Sequence, residues 1–189
     1  RDANDADGRK RWLEAIVVAD RAAGEERTDR TKFLAATASL ELARPLDASA
    51  RAIRLGLPLE NSLPAKRKAL EAALDAYGRA EEYGVAQVTT ASAFAMADLY
   101  RDLGKSLLES DRPKDLDAEE LEQYDVLLEE QAFPFEEKAI GIHERNARLA
   151  AQGVYDEWVQ KSYAELAQLK PGRYARTEVA DAPVAPVAG

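Results

Sequence analysis

The chain has 189 residues, of which 46% are hydrophobic, a length and composition that suit one domain with a sizeable core. Its formal charge of −9 and pI of about 4.8 have the wrong sign for a nucleic-acid binder or a protein held on anionic lipid. The absence of cysteine excludes disulfides, thiolate metal sites and cysteine nucleophiles, and no apolar run is long enough for direct membrane insertion.

Residues 1–8 hold Asp, Asn, Ala and Gly without an apolar period, and read as a flexible lead-in with a turn at Asp7-Gly8. A first helix is expected over 9–23, with Trp12, Ile16, Ala19 and Ala23 as its apolar stripe and Gly24 as its stop. Thr28 or Asp29 caps a second, over 29–54, whose Phe33, Leu34, Thr37, Leu40 and Leu42 keep helical spacing to Pro45, where a kink is expected. Ser62 is the natural cap of a third, over 63–83, with Pro64 in its first turn and Leu70, Ala73, Leu74, Tyr77 and Ala80 facing inward. Gly84 separates it from a fourth, over 85–110, carrying Val88, Ala91, Ala95, Leu99, Leu103 and Leu107, so the two form an antiparallel hairpin.

Asp117 and Glu120 have capping-box spacing at the head of a fifth helix, over 118–149. Its apolar stripe of Leu121, Tyr124, Leu127 and Leu128 runs to Phe133, where Pro134 forces a bend or a fresh start before Phe135, Ala139 and Ile142 carry it on. A sixth is expected over 153–169, lined by Tyr155, Trp158, Val159, Ser162, Tyr163, Leu166 and Leu169 and ended by Pro171-Gly172. Residues 172–189, rich in Ala, Pro and Val toward the end, read as an extended tail. The fold class is therefore all-α. Between Glu109 and Glu144 stand 13 acids against three bases, a local charge of −10, so the acidity of the chain belongs chiefly to the fifth helix.

The chain also echoes itself. Leu13-Glu14-Ala15-Ile16 with Ala19 and Gly24 returns 61 residues later as Leu74-Asp75-Ala76-Tyr77 with Ala80 and Gly84. A fainter copy follows 59 residues on, as Phe133 with Lys138-Ala139-Ile140 and Ile142. A repeated amphipathic unit that cannot bury its own face buries it against the next copy.

Residues 73–83, Ala-Leu-Asp-Ala-Tyr-Gly-Arg-Ala-Glu-Glu-Tyr, resemble the second helix of a tetratricopeptide repeat (TPR). Residues 95–104, ending in Leu103-Gly104, resemble the first helix of the next repeat. The echoes lie near 60 residues apart where that family repeats every 34 or so, which calls for longer helices. The resemblance implies antiparallel hairpins stacked as a right-handed α-solenoid, a protein–protein interaction role, and a concave groove lined by the first helix of each pair. In that phase the helix over 9–23 is the second of a pair whose partner lies upstream of Arg1, making the chain the C-terminal part of a larger array. As a whole the sequence is also similar to long-helix repeat proteins of proteobacterial envelopes, which implies a periplasmic site.

Enzyme chemistry finds little purchase. A di-iron bundle needs two Glu-x-x-His motifs, whereas the only histidine, His143, has Ile140 three residues before it. Set among Glu137, Glu144 and Arg145, His143 reads as a surface or boundary residue. No Gly-x-Ser-x-Gly elbow, phosphate loop or calcium loop occurs, and Glu129-Glu130 and Glu136-Glu137 point about 100° apart on a helix and cannot share a proton. No catalytic, metal or cofactor site is assigned.

What remains is surface. On the fourth helix Gln87, Thr90, Phe94, Asp98, Arg101 and Lys105 follow a three-four rhythm away from the core stripe, and Phe94 is either an anchor for a bound peptide or a packing residue. With Glu122 and Glu129 of the acidic helix these form the expected partner-binding set. The expected function is a scaffold that holds a protein or peptide partner, and the alternative is a purely structural segment that caps a larger assembly.

Overall fold

The computed structural model describes residues 5–175, and among them the protein is all-helical. Seven α-helices follow one another: α1 (Ala6–Ala22), α2 (Asp29–Ala52), α3 (Leu59–Glu81), α4 (Ala86–Leu108), α5 (Ala118–Arg148), α6 (Glu157–Leu169) and α7 (Pro171–Tyr174). Short 3-10 turns occupy Gly24–Glu26 and Leu149–Gln152. No helix among the described residues is long and apolar enough to cross a membrane.

Local chemistry sets most boundaries. Thr28 caps α2 by accepting from the Thr31 amide while the Thr31 hydroxyl accepts from the Thr28 amide, and Asp117 and Glu120 form the expected reciprocal box at α5. Gly24, Gly84 and Gly153 take positive φ at helix ends, where a side chain would be strained. Both α2 and α5 continue through their prolines, Pro45 and Pro134.

Four boundaries differ from expectation. Helix α1 starts at Ala6, inside the supposed lead-in, because the Asp5 carboxylate accepts from the Gly8 amide at 2.7 Å. Helix α3 starts at Leu59, before Ser62, whose hydroxyl instead accepts from the Gly56 amide and donates to the Gly56 carbonyl, tying down the preceding loop. Helix α6 starts at Glu157, because the Asp156 carboxylate caps it by accepting from the amides of Trp158 and Val159. The expected tail opens instead with α7, whose Tyr174 ring meets Tyr163. Residues 1–4 of the expected lead-in and 176–189 of the expected tail lie outside the described residues.

Each helix packs on the next, and the even-numbered helices α2, α4 and α6 also touch in succession. The core follows this order and is rich in alanine. Ala43 and Ala50 of α2, Leu70, Ala73, Ala76 and Tyr77 of α3, and Leu99 and Leu103 of α4 form its largest cluster. Farther along, Leu107 meets Ala132 of α5, and Ile140 and Ala147 of α5 meet Leu166 of α6. Gly104 sits where α4 approaches α5, the Ala132 carbonyl lying 3.5 Å from the point a Cβ would occupy.

Small residues are thus contact points. Ala80 is wholly buried beside Ala36 and Val88, joining α2, α3 and α4. Ala80→Leu should overpack this junction and cost about 1–3 kcal/mol, lowering the melting temperature by several degrees in a thermal melt followed by circular dichroism. An unchanged midpoint would contradict the close approach.

The face that α1 turns inward is a correction. Leu13, Val17 and Asp20 sit lower against the body, while Trp12 is 74% exposed and Ile16 37% exposed. The buried Asp20 carboxylate pairs with Arg27 at 2.7 Å, and the Arg27 guanidinium stands 5.6 Å over the Tyr83 ring. This anchor fixes the rotation of α1 and leaves its most apolar stripe outside.

Candidate interaction surface

The expected surface of α4 is largely occupied by the helices beside it. Gln87 is exposed, but Thr90 is fully buried, its hydroxyl donating to the Asp156 carboxylate at 2.5 Å. Asp156 also caps α6, so this one bond fastens the start of α6 to α4. Thr90 therefore has no surface to offer a partner. The Phe94 ring is half-buried with its centroid 5.5 Å from those of both His143 and Trp158, which is packing across α5 and α6.

Farther along α4, charged side chains join the even-numbered helices. Arg51 of α2 lies between Asp47, at 2.5 Å, and Asp98 of α4, at 3.0 Å. Tyr77 donates to the second oxygen of Asp47 at 2.9 Å, and burial, followed by the neighbouring carboxylate, raises the pKa of its phenol. Arg101 pairs with Glu165 of α6. Lys105 is exposed and forms only an i,i+4 pair with Glu109 at 3.7 Å. Of the six α4 residues, Gln87 and Lys105 are exposed, Asp98 and Arg101 are partly open but held in ion pairs with Arg51 and Glu165, and Thr90 and Phe94 are taken up by packing.

A buried lysine escaped the sequence reading. Lys66 of α3 is 3% exposed, and its ammonium donates to the carbonyls of Ala50 and Ile53 and to the Asp102 carboxylate, at 3.4, 3.1 and 3.0 Å. It thus sits on the negative end of the α2 dipole. Its signal in the sequence was position: Lys66 precedes the inward-facing Leu70 by one helical turn.

His143 is likewise a correction, being fully buried rather than at the surface. Its Nδ1 lies 3.3 Å from the Ser162 hydroxyl, which accepts from the Asn146 side-chain amide at 2.9 Å; the same amide donates to the Thr90 carbonyl at 3.1 Å. Burial depresses the imidazole pKa to about 4, with Asp98 opposing and Arg101 adding to the shift. The ring is neutral at pH 7 and serves as part of a polar seam holding α4, α5 and α6 together. The spacing of His143, Ile140 and Ala147 at three and four residues was the available clue, since Ile140 and Ala147 are core.

The acidic helix keeps its expected exposure. Glu122 and Glu129 of α5 are exposed and in no ion pair among the described residues. Between them Val126 is 49% exposed, and one turn beyond Glu129 Phe133, expected on the apolar stripe of this helix, is 62% exposed because Leu128, Ala132 and Ala139 take the inner face. Because residues three, four and seven apart share a helix face, these four side chains form one strip that alternates carboxylate and apolar surface.

No protein family, no curated protein and no solved structure matches this chain.

Proposed function

We propose that the chain is a non-enzymatic protein-interaction module, its antiparallel hairpins stacked as a TPR-like right-handed solenoid that holds a protein or peptide partner. The serial contacts of neighbouring helices, with α2, α4 and α6 also touching in turn, are what such a stack requires. The observation that carries the binding role is the outer strip of α5, where Glu122, Val126, Glu129 and Phe133 stand open to solvent. Apolar side chains between unpaired carboxylates suit a partner that is itself amphipathic and basic. On α4 the groove role falls to Gln87 and Lys105, with Asp98 and Arg101 bracing the helices behind them.

Capture by the immobilised full chain tests this reading. Glu122→Lys with Glu129→Lys, both at exposed positions, should weaken capture about tenfold, and raised salt should do the same. Capture that is indifferent to both treatments would remove α5 from the interface.

A second reading, a structural segment within a larger assembly, has its own support. Trp12 and Ile16 leave an apolar stripe uncovered on α1, whereas the far end is closed by α7, with Lys170 and Arg173 both 3.3 Å from Glu144. Failure to capture any partner would favour it.

A further inference from the structure

The other large surface feature is a cleft of about 910 Å³ bounded by α1, α2 and α3. Its apolar lining comes from Leu13, Val17, Leu42, Leu46 and Ala76. Around these stand five cations, Arg9, Lys10, Arg21, Arg44 and Arg79, against three acids, Asp7, Glu14 and Glu41. Arg9 and Arg44 both pair with Glu41 and Lys10 with Glu14, which leaves Arg21 and Arg79 exposed and in no ion pair among the described residues. The cleft is locally positive on a chain whose formal charge is −9.

The strip on α5 is its complement in both respects. Val126 and Phe133, seven residues apart, make an apolar ridge on one side of the helix. Glu119, Glu122, Glu129, Glu130 and Glu137 flank that ridge within about 50° of its line, exposed and free of ion pairs among the described residues. Helix α5 packs chiefly on α4 and α6, and none of its residues lines the cleft.

We propose that the chain self-associates, the acidic outer face of α5 of one copy lying in the basic-edged cleft between α1, α2 and α3 of another. Val126 and Phe133 enter the apolar floor while Glu130 and Glu137 meet Arg21 and Arg79. The contact joins unlike patches, so two copies can exchange it reciprocally or successive copies can extend it. This inference rests on the reading of α5 as a docking face and names its occupant.

Sedimentation velocity of the full chain, from low micromolar to several hundred micromolar, tests it. At low salt the weight-average mass should rise to that of a dimer or beyond, and high salt should return it toward the monomer. The exposed double changes Arg21→Glu with Arg79→Glu, and Glu130→Lys with Glu137→Lys, should each weaken association about tenfold or more at unchanged helicity. Mixed in equal amounts, the two variants should associate again, because the reversed charges then face one another.

A chain that stays monomeric at every concentration overturns the proposal, as does association indifferent to the cleft variant or a mixture that fails to recover. A monomer that still captures another protein through α5 would leave the broader binding role intact and assign the strip to a foreign partner. A monomer that captures nothing would end both readings.

Discussion

Acidification from pH 6.5 toward pH 4 should remove about 3 kcal/mol of folding stability through His143 alone. In the unfolded chain the imidazole takes up its proton near pH 6.5, whereas in the folded protein burial holds its pKa at about 4. Between these values the unfolded state binds more protons than the folded one, so stability falls as the pH falls. Above pH 6.5 the contribution is fully present, and below pH 4 no more is lost through this group. His143→Leu removes the titration, at the expense of one hydrogen bond to Ser162, which keeps its bond from Asn146.

Urea midpoints measured down this pH range for both proteins isolate the effect, because the carboxylates that titrate lower are common to the two. The wild type should lose stability more steeply than the variant between pH 6.5 and 4. Parallel curves would mean that the imidazole is solvated in the folded state.

The second large effect belongs to Lys66. Its three ammonium protons meet three acceptors, two of them carbonyls at the end of α2. Lys66→Met keeps the apolar stem and the volume but deletes all three bonds, leaving Asp102 with Arg51 at 4.0 Å as its remaining cation. The expected loss is about 2–4 kcal/mol, read from urea unfolding with an unchanged m-value. Lys66→Arg should recover little of it, because a planar fork cannot address three acceptors that converge on one point. A loss below about 0.5 kcal/mol for Lys66→Met would show that water replaces the ammonium without penalty.

The helices were legible because their punctuation is local. Gly24, Gly84 and Gly153, and the Asp117-to-Glu120 box, announce themselves within a few residues. Which side of a helix turns inward is a tertiary matter, and there the reading faltered. On α1 the inward face carries the Asp20–Arg27 pair with Tyr83, contributed from α1 and the turns before α2 and α4, and the apolar stripe of Trp12 and Ile16 is left outside. His143 and Lys66 were hidden for the same reason: a polar residue on a buried face looks like a surface residue until its acceptors, which come from other helices, are in place.

On the candidate surface, exposure of Glu122 and Glu129 followed from charge, since they stand in a stretch that holds 13 acids against three bases. The occupation of Thr90 and Phe94 did not, because it depends on where Asp156 and Trp158 bring the start of α6.

The ladder of contacts between successive helices also bears on how the chain reaches its native state. Its main contacts join helices one or two apart in sequence, so little chain has to be looped out before a contact forms. Folding times on the order of milliseconds or shorter are the norm for such short-range wiring. Among the six longer helices amide exchange should be fastest in α1, which leans on α2 alone among its principal neighbours, and slowest in α4, gripped from four directions by α2, α3, α5 and α6.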